Sequence, residues 1–214
     1  MSDTLLTRRG RASRIGRPHF VPDRERKVWD SCVHESGHVL MGMLADVPIR
    51  EVFVPKVLDW STKNLPATSM VPLKGPAAAL TYAAGNGASW SRGGRERSAS
   101  PTDREGFVFA LGSDDRYHEF AGAVADVFRT PELARKLERI ATYVYRRQNR
   151  RIDTSVFWFK VVKLEDDARE LVDAALVRLG SPFGRFGSQE EKDRREQWAA
   201  DMRAAAAKKR GART

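Results

Sequence analysis

The sequence lacks the features that secreted and membrane proteins rely on. Its single cysteine, Cys32, cannot form an intramolecular disulfide, which is typical of a protein from a reducing cytoplasm. No stretch approaches the ~20 apolar residues that span a bilayer. Residues 1–18 also have no apolar core of signal-peptide length. We therefore expect a cytoplasmic protein without a membrane span.

Phosphate-binding glycine loops and histidines are also scarce. The pattern G-x-x-x-x-G-K-[ST], whose backbone amides cradle nucleotide phosphates, does not occur, so the chain carries no recognisable ATPase. Only 4 of the 214 residues are histidine. Two of these four lie four positions apart in the segment His34-Glu35-Ser36-Gly37-His38. This segment has the H-E-x-x-H pattern of zinc hydrolases.

The residues around this motif predict a helix. No proline occurs from position 24 to 46, and Pro22-Asp23 and Pro48 are suitable start and stop signals, with Asp23 as a possible N-cap. Apolar residues recur at helical intervals, namely Val28, Trp29, Cys32, Val33, Val39, Leu40, Met43 and Leu44. On a helix, positions i and i+4 share a face, so both imidazoles can bind one Zn²⁺ while Glu35 reaches a water as general base. The alternative is a pair of ordinary histidines that bind no metal.

A catalytic zinc site needs a third protein ligand, and several residues could supply it. Residues 39–44 contain no histidine at the metzincin spacing. The downstream candidates are Asp103, Glu105, Asp114, Asp115, His118 and Glu119. Asp103 stands at a predicted loop-to-helix junction, where an acidic residue is also expected for capping or for the helix dipole. Thr102 with Glu105, or Ser100 with Asp103, would form such a capping box.

The motif and the order of the following segments resemble the peptidase domain of FtsH-type ATP-dependent zinc proteases. The stretch from His34 to Leu40, H-E-S-G-H-V-L, is similar to the H-E-A-G-H-A-L helix of that family. A strand-like segment at 49–55, a small-residue segment at 83–89 and an aspartate-containing segment at 98–107 follow in the family's order. The resemblance covers roughly residues 28–111. Ser89 and Pro101-Thr102 depart from the family pattern.

The resemblance implies a zinc metallopeptidase with a mainly α (α+β), zincin-like fold and a small sheet or hairpin beside the active-site helix. It implies that His34, His38 and Asp103 hold Zn²⁺ and that Glu35 is the catalytic base, with His118 as the next choice of third ligand. It also implies that an extended polypeptide substrate pairs with the strand at 49–54. Because no ATPase is present in this sequence, we expect flexible or unfolded substrates, or a separate unfoldase.

The formal charge of +10 is concentrated near the two ends of the chain. We predict a basic, disordered tail at 1–20, a peptidase-like domain at 21–180, and a linker with a charged C-terminal helix at 181–214. Basic tails of this kind bind nucleic acid or acidic surfaces through counterion release. An alternative function is therefore a non-enzymatic nucleic-acid-binding or adaptor protein with a vestigial H-E-x-x-H helix.

Between the tails the sequence predicts mostly helices. Strand candidates lie at 49–54 and around 69–73, bounded by prolines. Helices are predicted after them at 76–90, 103–111, 114–128, 132–150 and 155–179. No internal repeat is present, and the oligomeric state is left open.

Overall fold

A computed structural model of the chain describes residues 18–59, 65–93, 100–157 and 166–186, together with 162, 164, 188–190, 193 and 197. Within these residues the protein is mainly helical and has one small antiparallel sheet, which confirms the predicted class. The elements are α1 Arg26–Leu44, β1 Ile49–Phe53, β2 Ala67–Met70, α2 Pro76–Ser91, α3 Pro101–Leu111, α4 Tyr117–Phe128, α5 Pro131–Tyr145, β3 Arg151–Asp153 and α6 Asp166–Arg178. No helix among the described residues has the length and apolarity to cross a membrane.

Helix α1 carries the H-E-x-x-H segment and is followed by a residue in the left-handed backbone conformation. Asp46 has a φ of 56°, and the amide of Val47 donates to the carbonyl oxygen of Gly42 at 2.9 Å. This closure of the last turn is a Schellman motif, which satisfies a carbonyl that the helix leaves without a partner. Pro48 then prevents a further helical turn. The chain is thereby turned directly into β1.

The sheet has the strand order β2-β1-β3, with all strands antiparallel. In the central strand, Val52 is paired with Thr68 of β2 and with Ile152 of β3. Val52 is fully buried, so this face of the sheet packs on the helices. The prediction that the strand at 49–54 offers a free edge to a substrate is therefore wrong, because both of its edges are already paired.

Other differences from the predicted elements have local causes. The second strand lies at 67–70 instead of around 69–73, and α5 ends at Tyr145 instead of at residue 150. Strand β3 was not predicted, because three residues in an arginine-rich run give no periodic signal and the strand is defined by its pairing with β1. Asp23 lies in a 3-10 turn, Asp23–Glu25, so it does not cap α1.

Helices α1 and α2 approach each other closely because small residues line their contact. A Cβ on Gly37 would lie 2.5 Å from the carbonyl oxygen of Ala84 and 2.6 Å from the Cβ of Ala88. Gly87, on another face of α2, would meet Val124 of α4 at 2.5 Å. Helix α2 therefore lies at the centre of the helical core, with its backbone pressed against α1.

The buried core includes Val21 and Leu179, close to the two ends of the domain predicted at 21–180. Phe20 packs edge-on against Trp29 of α1, with ring centroids 6.3 Å apart. Beyond α6, the amide of Arg185 donates to Asp173 at 2.9 Å, and its guanidinium pairs with Asp46 at 3.4 Å. Most of the predicted N-terminal tail and most of the predicted charged C-terminal helix lie outside the described residues.

Candidate metal centre

Helix α1 places the two histidines of the motif side by side. The imidazole centroids of His34 and His38 are 5.0 Å apart, and their Nε2 atoms are separated by 3.3 Å. The side chain of His38 is 3% exposed and that of His34 is 21% exposed. The pair therefore lies at the base of a site that solvent reaches from the side of His34.

Asp103 brings the third donor from the start of α3. The hydroxyl of Ser100 caps this helix by accepting a hydrogen bond from the amide of Asp103 at 3.1 Å. The carboxylate of Asp103 turns toward α1, where Oδ2 lies 3.1 Å from Nε2 of His34 and Oδ1 lies 3.3 Å from Nε2 of His38. Of the two capping boxes considered for this junction, the structure contains the Ser100 cap, and the Asp103 side chain is directed to the histidines.

These three groups lie close enough together to hold one metal ion. The two histidine Nε2 atoms are 3.3 Å apart, and each lies near a different oxygen of Asp103: Oδ2 is 3.1 Å from His34 and Oδ1 is 3.3 Å from His38. Donor atoms about 2.0–2.1 Å from a tetrahedral metal are about 3.3–3.4 Å from one another, and the two histidine nitrogens have that separation. Three protein donors would leave the fourth position of a tetrahedral ion open. They form the one such group of His, Cys, Asp or Glu found within the described residues.

A backbone contact from α2 fixes the orientation of His38. Its Nδ1 donates a hydrogen bond to the carbonyl oxygen of Thr81 at 2.8 Å. A carbonyl oxygen carries no proton, so Nδ1 must, and the neutral ring then has its lone pair on Nε2. Metal-binding histidines commonly make this outer contact because it fixes both the tautomer and the ring orientation.

Gly85 lets the backbone of α2 pass directly behind the histidine pair. A Cβ at this position would lie 2.4 Å from Nε2 of His34 and 2.6 Å from Nε2 of His38. Such distances are far below van der Waals contact, so any side chain here would displace the imidazoles. The only hint of this role in the sequence is that Gly85 lies in the small-residue segment at 83–89. Ser89, one turn later, donates to the Gly85 carbonyl at 3.2 Å.

The carboxylate of Glu35 is held by the edge of the sheet. Glu35 is buried, and its Oε2 accepts a hydrogen bond from the Thr68 hydroxyl at 2.6 Å. Glu35 follows His34 directly on α1, and its carboxylate is close enough to His38 to act on the charge of that imidazole. The sequence contained no signal for Thr68, because a threonine in a short strand is unremarkable.

The charges of His38 and Asp103 stabilise each other. Burial opposes a charge on His38, but the neighbouring Asp103 carboxylate outweighs burial and raises the pKa of His38 to about 9. Burial likewise opposes the charge on Asp103, yet His38 and the hydrogen bonds from both histidines hold the pKa of that carboxyl well below its usual range. A cation bound here would take the place of the proton on His38.

His118, the other candidate ligand, lies elsewhere. Its exposed ring stacks in parallel on Trp90, with centroids 5.9 Å apart, and its Nε2 is 3.5 Å from the guanidinium of Arg104. The structure thus brings together His34, His38 and Asp103 and does not bring His118 to the same point.

Comparisons of the chain with protein-family models, with curated proteins and with solved structures found no match.

Proposed function

We propose that the protein is a zinc-dependent metallopeptidase with a zincin-like site, related to the peptidase domain of FtsH-type proteases. The observation that supports this most is the convergence of His34, His38 and Asp103, whose donor atoms lie close enough together to hold one metal ion. Two imidazoles and one carboxylate form a donor set that suits Zn²⁺, and three protein ligands with an open position are typical of catalytic rather than structural zinc.

Bound zinc would lower the pKa of a water toward 7 and polarise the carbonyl of the scissile peptide bond. The protein contributes the remaining functions. The carbonyl of Thr81 holds the imidazole of His38, and Gly85 leaves room for both imidazoles. Glu35 accepts the proton of the attacking water through its carboxylate and then donates it to the leaving amine. The contact of Glu35 with Thr68 keeps this carboxylate beside the site.

Strand β2 offers the edge at which a polypeptide could bind. Among the described residues β2 pairs with β1 alone, and no described strand pairs with its other edge. The contact between Thr68 of this strand and Glu35 supports a binding role for β2 next to the proposed base. An extended substrate could add there as a further strand, gaining affinity from main-chain hydrogen bonds. Substrates of this kind are flexible or unfolded polypeptides, supplied directly or by a separate unfoldase.

Metal analysis combined with a cleavage assay tests the proposal. The purified protein is expected to contain about one zinc per chain, and to cleave an unfolded casein-like substrate in a chelator-sensitive way. Glu35→Gln removes the proton acceptor but no ligand, so this variant should retain zinc and lose cleavage. Cleavage by Glu35→Gln at the wild-type rate would contradict the role of Glu35, and absence of bound metal from the wild type would contradict the proposal as a whole.

A further inference from the structure

Thr68 differs from the other residues around the candidate site because it belongs to the sheet. The two histidines and Glu35 lie on α1, Asp103 lies on α3, and Gly85 lies on α2. The Thr68 hydroxyl reaches across from β2 and donates to Oε2 of Glu35 at 2.6 Å. The backbone carbonyl of Glu35 is a much weaker acceptor for the same hydroxyl, at 3.4 Å.

The side chain of Thr68 can make this contact because of its register in the sheet. Thr68 is paired with Val52, whose buried side chain faces the helices. Thr68 and Met70 are half-buried and alternate with the exposed Ala67 and Ser69. The hydroxyl is therefore directed toward α1, and a slip of one residue in the register would direct it to solvent.

A hydrogen bond at 2.6 Å from a hydroxyl to a carboxylate oxygen is short. It engages Oε2 of the carboxylate, and no hydrogen bond to the other oxygen is found among the described residues, so that oxygen could accept a proton. A glutamate side chain has several rotatable bonds, so without such an anchor it would populate several rotamers. Catalytic groups depend on being held in the productive orientation.

From these contacts we propose that Thr68 is a positioning residue for the general base: its hydroxyl fixes the orientation of the Glu35 carboxylate and ties that orientation to the edge strand that would receive the substrate. This inference rests on the proposed peptidase function. It assigns to β2 a second role beyond offering backbone groups, because the strand that would bind the polypeptide also holds the base that would act on it.

The central test is Thr68→Val, which keeps the shape and the β-branch of the side chain and removes the hydroxyl. We expect kcat to fall by about 10- to 100-fold, the range typical of outer contacts around metal sites. KM and the zinc content should stay close to wild type, since neither a metal ligand nor the strand backbone is changed. Thr68→Ser keeps a hydroxyl and should restore most of kcat.

Thr142→Val is the matched control, since Thr142 is another half-buried threonine and lies in α5, outside the candidate site and the strand proposed to bind substrate. It makes the same exchange of side chains without touching Glu35 or β2, and kcat should be unchanged. If Thr68→Val and Thr142→Val lower kcat equally, or if Thr68→Val has wild-type kcat, Thr68 is not a positioning residue. If the wild type does not cleave polypeptide at all, the proposed function fails, and the positioning role fails with it.

A second measurement needs no activity. In metal-free protein, Thr68→Val should lower Tm by about 2–4 °C, because one hydrogen bond is lost in a chain of this size. In a Glu35→Ala background the same substitution should have little effect, because its partner is already absent. Additive Tm shifts would overturn the proposal, since they would mean that the two side chains do not interact in solution.

Discussion

His38 and Thr81, 43 residues apart in the chain, are joined by a hydrogen bond of 2.8 Å from an imidazole nitrogen to a backbone carbonyl. The carbonyl belongs to α2, which also passes behind both imidazoles at Gly85. Helix α2 thus supports the histidine pair by its backbone and contributes no ligand side chain. The geometry of the site therefore depends on how closely α1 and α2 pack.

Gly85→Ala tests this dependence. The added methyl group would lie 2.4 Å from Nε2 of His34, a distance at which the imidazole must move. We expect zinc affinity to fall by at least about tenfold, by analogy with other contacts that orient ligands. Isothermal titration with zinc, competed against a chelator of known affinity, measures the change.

Gly122→Ala is the matched control for that substitution. Gly122 lies within α4, and a Cβ there would meet no heavy atom within 4 Å. Replacing a helical glycine by alanine should leave zinc affinity unchanged and stabilise the protein by up to about 1 kcal/mol. Equal losses of zinc affinity in the two alanine variants would mean that the space behind the histidines is not what the glycine provides.

The sequence was sufficient to predict those parts of the site that local geometry determines. The spacing of His34 and His38 on a proline-free, apolar segment defines a shared helical face, and α1 has that face. Asp103 could be proposed but not distinguished from His118 by spacing, because its distance from the histidines is set by the packing of α3 against α2. The resemblance to a known family favoured Asp103, and the structure places it next to both imidazoles.

Contacts made through the backbone or through strand pairing could not be predicted from the sequence. Any residue at position 81 has a carbonyl oxygen, so the bond to His38 has no sequence signature. The position of Thr68 follows from pairing with β1, and β1 is central only because β3 pairs with its other edge. Such non-local pairing decides which strand is the edge, and the short strand β3 gave no periodic pattern by which it could be recognised.

Asp103→Asn should distinguish Asp103 from His118 as the third metal ligand. The amide keeps the size of the side chain but removes the negative charge that a cation needs, so zinc affinity is expected to fall by more than about 100-fold, beyond the range for outer contacts. His118→Ala removes an exposed ring outside the metal-binding group and should leave zinc affinity unchanged. The reverse result in the same titration would reassign the third ligand to His118.

Zinc should also stabilise the fold, because the site is assembled from α1 and α3 and does not exist in the unfolded chain. A ligand that binds the native state at 100 times its Kd contributes about 2.7 kcal/mol. We expect Tm to rise with free zinc and to return to the metal-free value with a chelator. His34→Ala should remove the zinc dependence, and a zinc-dependent Tm in that variant would place the bound metal elsewhere.

The pH dependence of stability in metal-free protein follows from His38 and Asp103. The pKa of His38 is raised from 6.5 to about 9, so the folded state holds a proton that the unfolded state releases between these values. Its contribution to stability is fully present below pH 6.5 and is lost as the pH rises toward 9. The free energy of unfolding should then decrease by up to about 1.4 kcal/mol per pH unit over this interval.

Asp103 has the opposite effect at acid pH: it makes the free energy of unfolding increase as the pH rises. Because the pKa of its carboxyl lies well below the usual value of 3.8, its contribution is present above that value and is lost as the pH falls below it. Urea denaturation of metal-free protein from pH 3 to 9 measures both slopes. Asp103→Asn removes the charge that holds the proton on His38, so the decrease between pH 6.5 and 9 should be strongly reduced in this variant. An undiminished decrease in Asp103→Asn would mean that another group titrates there and that the two side chains are not coupled.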